Sequence, residues 1–164
     1  MKKIFLFFTI FLFQISYINA QEEGTTNDTE LHWITSFDTA KSLAKEQDKP
    51  ILIFFTGSDW CGICKMLDKD FLSSDKFKKI ANEELILYKA DFPRRTDLVS
   101  PENKKINENL DVKYSKTRSK RSFPTLVFIN ANGIELGFIE SYNYIHDTTR
   151  HFGLLQNVLS QYKK

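Results

Sequence analysis

The sequence has little of what several classes of protein require. Its 164 residues include only two cysteines and three histidines, so it cannot build the several bridges of a small disulfide-stapled scaffold. No glycine-rich phosphate-binding loop and no internal repeat occur, and no organic cofactor is therefore implied. The sequence has no large excess of charge of either sign, since it contains 23 basic and 21 acidic residues.

The N-terminus holds the longest apolar run, and that run is short. Lys2 and Lys3 precede about fifteen mainly apolar residues from Ile4 onward, fewer than the roughly 20 that a membrane-spanning helix needs. The segment closes on Tyr-Ile-Asn-Ala. This order predicts a secretory signal peptide over residues 1–20, with a transmembrane anchor as the alternative.

Export has consequences for charge and for cysteine chemistry. Loss of residues 1–20 would remove Lys2 and Lys3 and leave 21 basic against 21 acidic residues, which gives no indication of nucleic-acid or membrane binding. A periplasmic or extracellular location would let disulfides form and persist. Residues 21–30 are polar and acidic and are predicted to form a flexible leader, so the folded domain is expected over 31–164.

Apolar periodicity predicts strands that alternate with helices. Residues 51–55 are continuously apolar, which is typical of a central strand covered on both faces. Further strands are predicted at 31–34, 85–91, 125–129 and 134–139. One helix is predicted to follow a Ser36 cap and another to begin at Cys61, and three more are predicted at 75–82, 103–114 and 146–162. This order predicts an α/β domain with a mixed central sheet.

Cys61 and Cys64 lie three positions apart, directly after a tryptophan. Four interpretations are open: a structural disulfide, a metal site such as one that transfers copper, two buried free thiols, or a redox-active dithiol. A disulfide across so short a loop constrains little of the unfolded chain. A zinc site usually needs four ligands, whereas His32, His146 and His151 are scattered along the sequence.

The position of the two cysteines favours the redox-active dithiol. A cysteine in the first turn of a helix meets unsatisfied backbone N–H groups and the positive end of the helix dipole. Both stabilise the thiolate, which is the nucleophile. Cys61 is therefore predicted to be exposed and to attack, while Cys64 is predicted to face inward and to resolve the mixed disulfide.

Two motifs together resemble the thioredoxin-like superfamily. Trp-Cys-Gly-Ile-Cys at 60–64, followed by Lys65, matches its WCxxC motif, and Ser-Phe-Pro-Thr at 122–125 matches its proline loop. The similarity extends over about residues 30–162 and is greatest to exported bacterial members. It implies a thioredoxin-like fold, with a mixed central β-sheet flanked by helices on both faces, and thiol–disulfide oxidoreductase activity.

The resemblance also implies roles for single residues. Cys61 and Cys64 would be the catalytic pair and form the redox-active disulfide, and Trp60, Phe123 and Pro124 would bind substrate. Pro124 would follow a cis peptide bond beside the cysteines, and the backbone of Phe123 would pair with an extended client segment. The partners would be protein thiols or disulfides and a membrane-bound or soluble electron-transfer protein, with neither metal nor cofactor.

Two departures from the family pattern concern the chemistry of the cysteines. The family has a buried acid on the strand before the motif, where this sequence has Phe54 or Phe55, so the proton of Cys64 must pass to water or another group. Gly62 and Ile63 separate the cysteines, without the histidine that strong oxidases have there. Because nothing between the cysteines strongly stabilises the dithiol, reduction of clients is the predicted direction.

A third departure is the longer segment 115–122 before the proline loop. It carries four basic residues, Lys116, Arg118, Lys120 and Arg121. We expect it beside the active site, either as a contact for an acidic partner or as a positive field that lowers the pKa of Cys61. The favoured interpretation is a solvated loop whose charges are screened. The alternative to the enzyme is a redox-inert thioredoxin-fold module that holds a peptide or partner protein.

Overall fold

The elements follow the predicted order within residues 30–114 and 121–163, which the computed structural model describes. The strands are β1 Trp33–Ile34, β2 Ile51–Thr56, β3 Ile86–Asp91, β4 Thr125–Ile129 and β5 Glu135–Glu140. The helices are α1 Phe37–Glu46, α2 Gly62–Leu67, α3 Asp75–Glu84, α4 Pro101–Tyr114 and α5 Thr149–Tyr162. The predicted signal peptide and nearly all of the predicted leader lie outside the described residues.

The strands form one mixed sheet in the order β1-β3-β2-β4-β5. β1 and β2 both pair with β3 in parallel, whereas β4 pairs antiparallel with β2 and with β5. The carboxyl ends of β2 and β3 therefore meet at one edge of the sheet. That edge is where the chain enters the segment that carries the two cysteines.

Both faces of β2 are buried, which explains its uninterrupted apolar sequence. Leu52 and Phe54 pack into the hydrophobic cluster that includes residues of α2, α3 and α5. Ile51, Ile53 and Phe55 pack into a second cluster, with residues of α1 and α4. Successive side chains of a strand point to opposite faces, so the predicted placement of helices on both faces is confirmed.

Two helix boundaries show how local chemistry sets the fold. The hydroxyl of Ser36 accepts a hydrogen bond from the backbone N–H of Thr39 at 3.3 Å, which confirms the predicted cap of α1. Helix α5 begins at Thr149 rather than at the predicted residue 146, because His146 has a left-handed backbone with φ of 55°. No helix in the described part of the chain is long and apolar enough to cross a membrane.

Candidate active site

The turn at residues 57–60, here called the active-site turn, joins β2 to α2 and is held by the end of β3. The carboxylate of Asp91 accepts hydrogen bonds from the backbone N–H and the hydroxyl of Ser58, at 2.8 and 2.5 Å. The indole N–H of Trp60 donates to the carbonyl of Phe92 at 2.8 Å. The turn is therefore fixed by its own backbone and by two residues from the neighbouring strand end.

Gly57 allows the indole ring of Trp60 to fold back over the turn. A Cβ atom at Gly57 would overlap the atoms of that ring. The ring also meets Phe123 edge to face, with 5.7 Å between centroids, and the Arg94 guanidinium carbon lies 5.1 Å from its centroid. Trp60 still keeps 37% of its surface exposed, so part of the ring faces solvent next to the cysteines.

Asp59 adds a fixed negative charge beside the motif. Its carboxylate accepts hydrogen bonds from the backbone N–H groups of Arg94 and Arg95, both at 3.0 Å. Desolvation raises the pKa of this carboxyl, but the N–H groups of Arg95 and Arg94 outweigh it, and the pKa lies below its usual value. Asp59 is therefore ionised at neutral pH.

Cys61 and Cys64 form a disulfide at the start of α2, with an S–S distance of 2.04 Å. Cys61 is the N-cap residue of the helix, and its Sγ accepts a hydrogen bond from the backbone N–H of Cys64 at 3.3 Å. The predicted position at the helix start is confirmed. The predicted exposure of Cys61 is wrong: it is 4% exposed and Cys64 1%, because both pack into the cluster that contains Phe54.

The proline loop lies at the start of β4. The peptide bond between Phe123 and Pro124 is cis, as the resemblance implied. The ring of Phe123 lies 5.3 Å from that of Phe92, and the carbonyl of Pro124 accepts a hydrogen bond from the backbone N–H of Ser141 at 2.8 Å. Phe123 therefore joins the aromatic residues around the turn, and Pro124 connects β4 to the segment that follows β5.

An open groove of about 580 Å³ runs past the disulfide. Its lining is mostly apolar and consists of Trp60, Cys61, Gly62, Ile63, Met66, Arg121, Phe123 and Tyr144. Of the predicted site residues, Trp60, Cys61 and Phe123 line the groove, whereas the buried Cys64 and Pro124 do not. Met66 and Tyr144 were not predicted as site residues. Met66 follows Cys64 by two positions on α2, whereas only the fold brings Tyr144 to the cysteines.

The place of the family's buried acid is taken by Phe54. Phe54 packs in the same cluster as Cys61 and Cys64, whereas Phe55 lies on the opposite face of the sheet. The sequence left both positions open, and the alternation of side chains along β2 decides between them. No carboxylate of β2 is therefore present to take a proton from Cys64.

A buried amide supports the end of β3, and the sequence did not indicate it. The side-chain amide of Asn107 on α4 donates to the backbone carbonyl of Asp91 at 3.0 Å and accepts from the hydroxyl of Tyr88 at 2.7 Å. Burial raises the pKa of Tyr88 to about 12, so this hydroxyl stays protonated. The helix thus fixes the strand end that in turn holds Ser58.

One basic residue, Arg121, lines the groove among the residues that the structure describes. Arg121 donates to the carboxylate of Asp111 at 2.7 Å, and its guanidinium carbon lies 4.6 Å from the ring centroid of Phe92. The other basic residues of segment 115–122 lie outside the described residues. In the part of the chain that the structure describes, no three His, Cys, Asp or Glu residues are grouped to hold a metal ion.

Comparison with known proteins matches residues 32–131 to a family described as thioredoxin-like. The disulfide bond reductase DsbH of Chlamydia pneumoniae is 36% identical over 118 residues, which cover 72% of this chain and 68% of that protein. A solved DsbH oxidoreductase structure has a TM-score of 0.68 at 30% identity, covering 80% of this chain and 85% of the other. A thioredoxin from Thermus thermophilus, with a TM-score of 0.52, 16% identity and coverage of 80% and 86%, shares the fold alone.

Proposed function

Since the chain belongs to the thioredoxin-like family, we propose that its thiol–disulfide oxidoreductase activity reduces disulfides of protein clients outside the cytoplasm. The observation that carries this proposal is the Cys61–Cys64 disulfide at a helix start, open on one side to an apolar groove. A structural disulfide has no need of such a groove. A client disulfide needs one, because its sulfur must reach the sulfur of Cys61.

The proposed reaction passes two electrons from the protein to the client. The thiolate of Cys61 attacks one sulfur of the client disulfide, and the other client sulfur leaves as a thiolate. The thiolate of Cys64 then attacks Sγ of Cys61, which releases the second client thiolate and closes the Cys61–Cys64 disulfide. The two protons that the cysteines lose balance the two that the client thiolates take up.

The same reaction defines the partners of the protein. The clients are protein disulfides, and after each turnover a dithiol electron-transfer protein, membrane-bound or soluble, must reduce Cys61–Cys64 again. Two observations support reduction as the direction. The relative that is 36% identical is named a disulfide bond reductase, and Gly62 and Ile63 add no group that strongly stabilises the dithiol.

Substrate binding is proposed for Trp60, Phe123 and Pro124. The exposed part of the Trp60 ring and the ring of Phe123 line the groove next to Cys61, where they can contact a client chain. Phe123 and Pro124 directly precede β4, and the backbone of Phe123 is proposed to pair with an extended client segment.

Export is proposed from the N-terminal sequence. Lys2 and Lys3, the apolar run after them and the closing Tyr-Ile-Asn-Ala up to Ala20 have the order of a secretory signal peptide. Cleavage there would release a protein without net charge into a compartment where disulfides form. Residues 31–164 would then be the functional domain.

The direction of electron flow is tested by the reduction potential of the Cys61–Cys64 pair. The mature domain is equilibrated in glutathione buffers, and the fraction of disulfide is measured by thiol alkylation. We expect a potential near −270 mV, the value typical of thioredoxin, which would make the protein a reductant. A potential near −120 mV, typical of a strong oxidase, would reverse the proposed direction.

The roles of the cysteines are tested by trapping. Cys64→Ser should accumulate mixed disulfides with clients, because Cys61 can attack but the intermediate cannot be resolved. Cys61→Ser is the matched control and should accumulate none. If the pair never equilibrates with glutathione and Cys64→Ser traps nothing, the protein is the redox-inert binding module instead.

A further inference from the structure

The segment between β5 and α5, residues 141–148, presents an aromatic side chain to the groove. Tyr144 lines the groove together with Cys61, yet 77% of its surface is exposed, and the neighbouring Ile145 is 75% exposed. Single exposed apolar residues are ordinary on a protein surface. Here two adjacent large apolar side chains are exposed, and one of them, Tyr144, lies in the groove beside the disulfide.

This segment is fastened to the helix that carries the cysteines. Helix α2 continues as a π-helical turn, Asp68–Leu72, and the carboxylate of Asp70 in that turn accepts two hydrogen bonds from the segment. The hydroxyl of Tyr142 donates at 2.8 Å, and Nδ1 of His146 lies 2.6 Å away. These contacts from His146 and Tyr142 hold the pKa of Asp70 below its usual range, so the acceptor is charged at neutral pH.

The backbone on both sides of Tyr144 is in an uncommon conformation. Ser141 and His146 have φ angles of 66° and 55°, in the left-handed region that residues other than glycine seldom adopt. Such residues persist only where surrounding contacts determine their conformation. The backbone N–H of Ser141 donates to the carbonyl of Pro124 at 2.8 Å, which ties this end of the segment to the proline loop.

The chemistry of the groove defines what Tyr144 can recognise. Five of the lining side chains, Trp60, Ile63, Met66, Phe123 and Tyr144, are apolar or aromatic. Among the residues that the structure describes, Arg121 is the one charged residue that lines the groove, and it is paired with Asp111 at 2.7 Å. An apolar client side chain next to the reacting cysteine would bury apolar surface against these residues, whereas a polar one would not.

We propose that Tyr144 is a specificity-determining residue that favours clients with apolar side chains next to the reacting cysteine, and that Asp70 is the positioning residue that holds it there. The proposal rests on the proposed function, because it concerns the client of that same exchange reaction. Tyr144 takes no part in the bond changes. It acts on the attack of Cys61 by stabilising the bound client.

The test uses two peptides that differ only beside their cysteine. Each carries one cysteine capped as a mixed disulfide with 2-mercaptoethanol, flanked by leucine in one peptide and by serine in the other. The reduced protein supplies the two electrons of a single turnover when it is mixed with each peptide, and the second-order rate constant is measured from the release of the peptide thiol. The wild type should react faster with the leucine peptide than with the serine peptide. Tyr144→Ala should lower the rate constant for the leucine peptide about tenfold, whereas Tyr144→Phe keeps the ring and should keep the preference.

Three further variants separate this role from a structural one. Ile134→Ala is the matched control, because Ile134 is 60% exposed and lies at the opposite end of β5 from the segment. It should leave the rate constants for both peptides unchanged. Asp70→Ala should reduce the leucine-over-serine preference without changing the rate with bis(2-hydroxyethyl) disulfide, which is too small to need the groove, and Asp70→Asn should restore part of the preference.

The outcomes distinguish this proposal from the proposed function. The role of Tyr144 alone would be overturned if the ratio of the rate constants for the leucine and serine peptides were the same in the wild type and in Tyr144→Ala, with normal exchange of the small disulfide. An equal loss of all rates in Asp70→Ala would make Asp70 a structural residue and overturn its positioning role. No exchange of the wild type with any of the three disulfides would overturn the proposed function itself.

Discussion

The active-site turn and the segment 141–148 meet at the same groove, but they are held in different ways. The turn is fixed by the carboxylate of Asp91, by the carbonyl of Phe92 and by the close packing of Trp60 over Gly57. The side chains of the segment are fastened to the cysteine helix mainly through one carboxylate, that of Asp70. The active-site turn, which leads into the cysteine pair, is thus held by several independent contacts. The part proposed to meet the client depends on few contacts, so client preference can change without altering the cysteines.

The largest effect is expected from filling the space under Trp60. Gly57→Ala places a methyl group where the indole ring lies, and it should lower the free energy of unfolding by about 1–3 kcal/mol because the ring must move. Urea unfolding measures the loss. Tryptophan emission in a Trp33→Phe background shows whether the ring has left its place.

The matched control for Gly57→Ala is Gly62→Ala in the first turn of α2. A Cβ atom at Gly62 meets no atom within 4 Å, so alanine there should be neutral or stabilise the helix by up to about 1 kcal/mol. Equal stability of the two variants would show that the turn is not fixed by the packing of Trp60, and the contrast between the two segments would then be weaker.

A smaller effect is expected from removing the carboxylate that holds the turn. Asp91→Ala leaves the N–H and hydroxyl of Ser58 without their acceptor, and since Ser58 is exposed to water the cost should be about 1 kcal/mol. The turn should also exchange its amide hydrogens faster. Asp97→Ala is the control, because its ion pair with Arg95 is exposed to water and should contribute little to stability. A loss in Asp91→Ala no larger than in the control would contradict the role given to Asp91.

The third prediction concerns the residue that supports segment 141–148 from the core. His151 is 5% exposed, and its ring packs 5.4 Å from the rings of Phe71 and Tyr142. Neither ring nitrogen has a hydrogen-bond partner among the described residues. Burial lowers the pKa of His151, the charge of Arg150 lowers it further, and Asp147 acts in the opposite direction.

The sign of the pH dependence follows from this lowered pKa. The unfolded chain binds a proton at His151 near pH 6.5 and the folded chain only at lower pH, so stability is full above 6.5 and decreases as the pH falls toward the folded pKa. His151→Leu should remove this part of the loss and keep or raise stability at pH 7. Thermal unfolding at pH 7.5 and at pH 5 measures the stability and its loss on acidification. His32→Leu is the control, because His32 is exposed. An unchanged difference between the two pH values in His151→Leu would contradict the prediction.

Several elements were predicted correctly because their cause is local. The apolar run of β2 requires cover on both faces, and the hydroxyl of Ser36 caps α1 wherever that helix packs. The two-sided burial and the cap are both present. The exposure of Cys61 was predicted wrongly for the converse reason. The position at the helix start is a local property, but burial depends on how the disulfide packs into the hydrophobic cluster that residues of α3, β4 and α5 complete.

The proline loop was identified by its resemblance to the family motif, whereas local patterns alone predicted the cysteine pair at a helix start and the alternation of strands and helices. These follow from residue type and spacing over a few positions, which act in the same way in any fold. Three contacts arise only from the fold. Phe54 packs beside the cysteines, Asp91 accepts a hydrogen bond from Ser58, which is 33 residues away in sequence, and Tyr142 donates one to Asp70, which is 72 residues away. Such contacts depend on which strand ends and loops the sheet brings together, and no local pattern of residues encodes that.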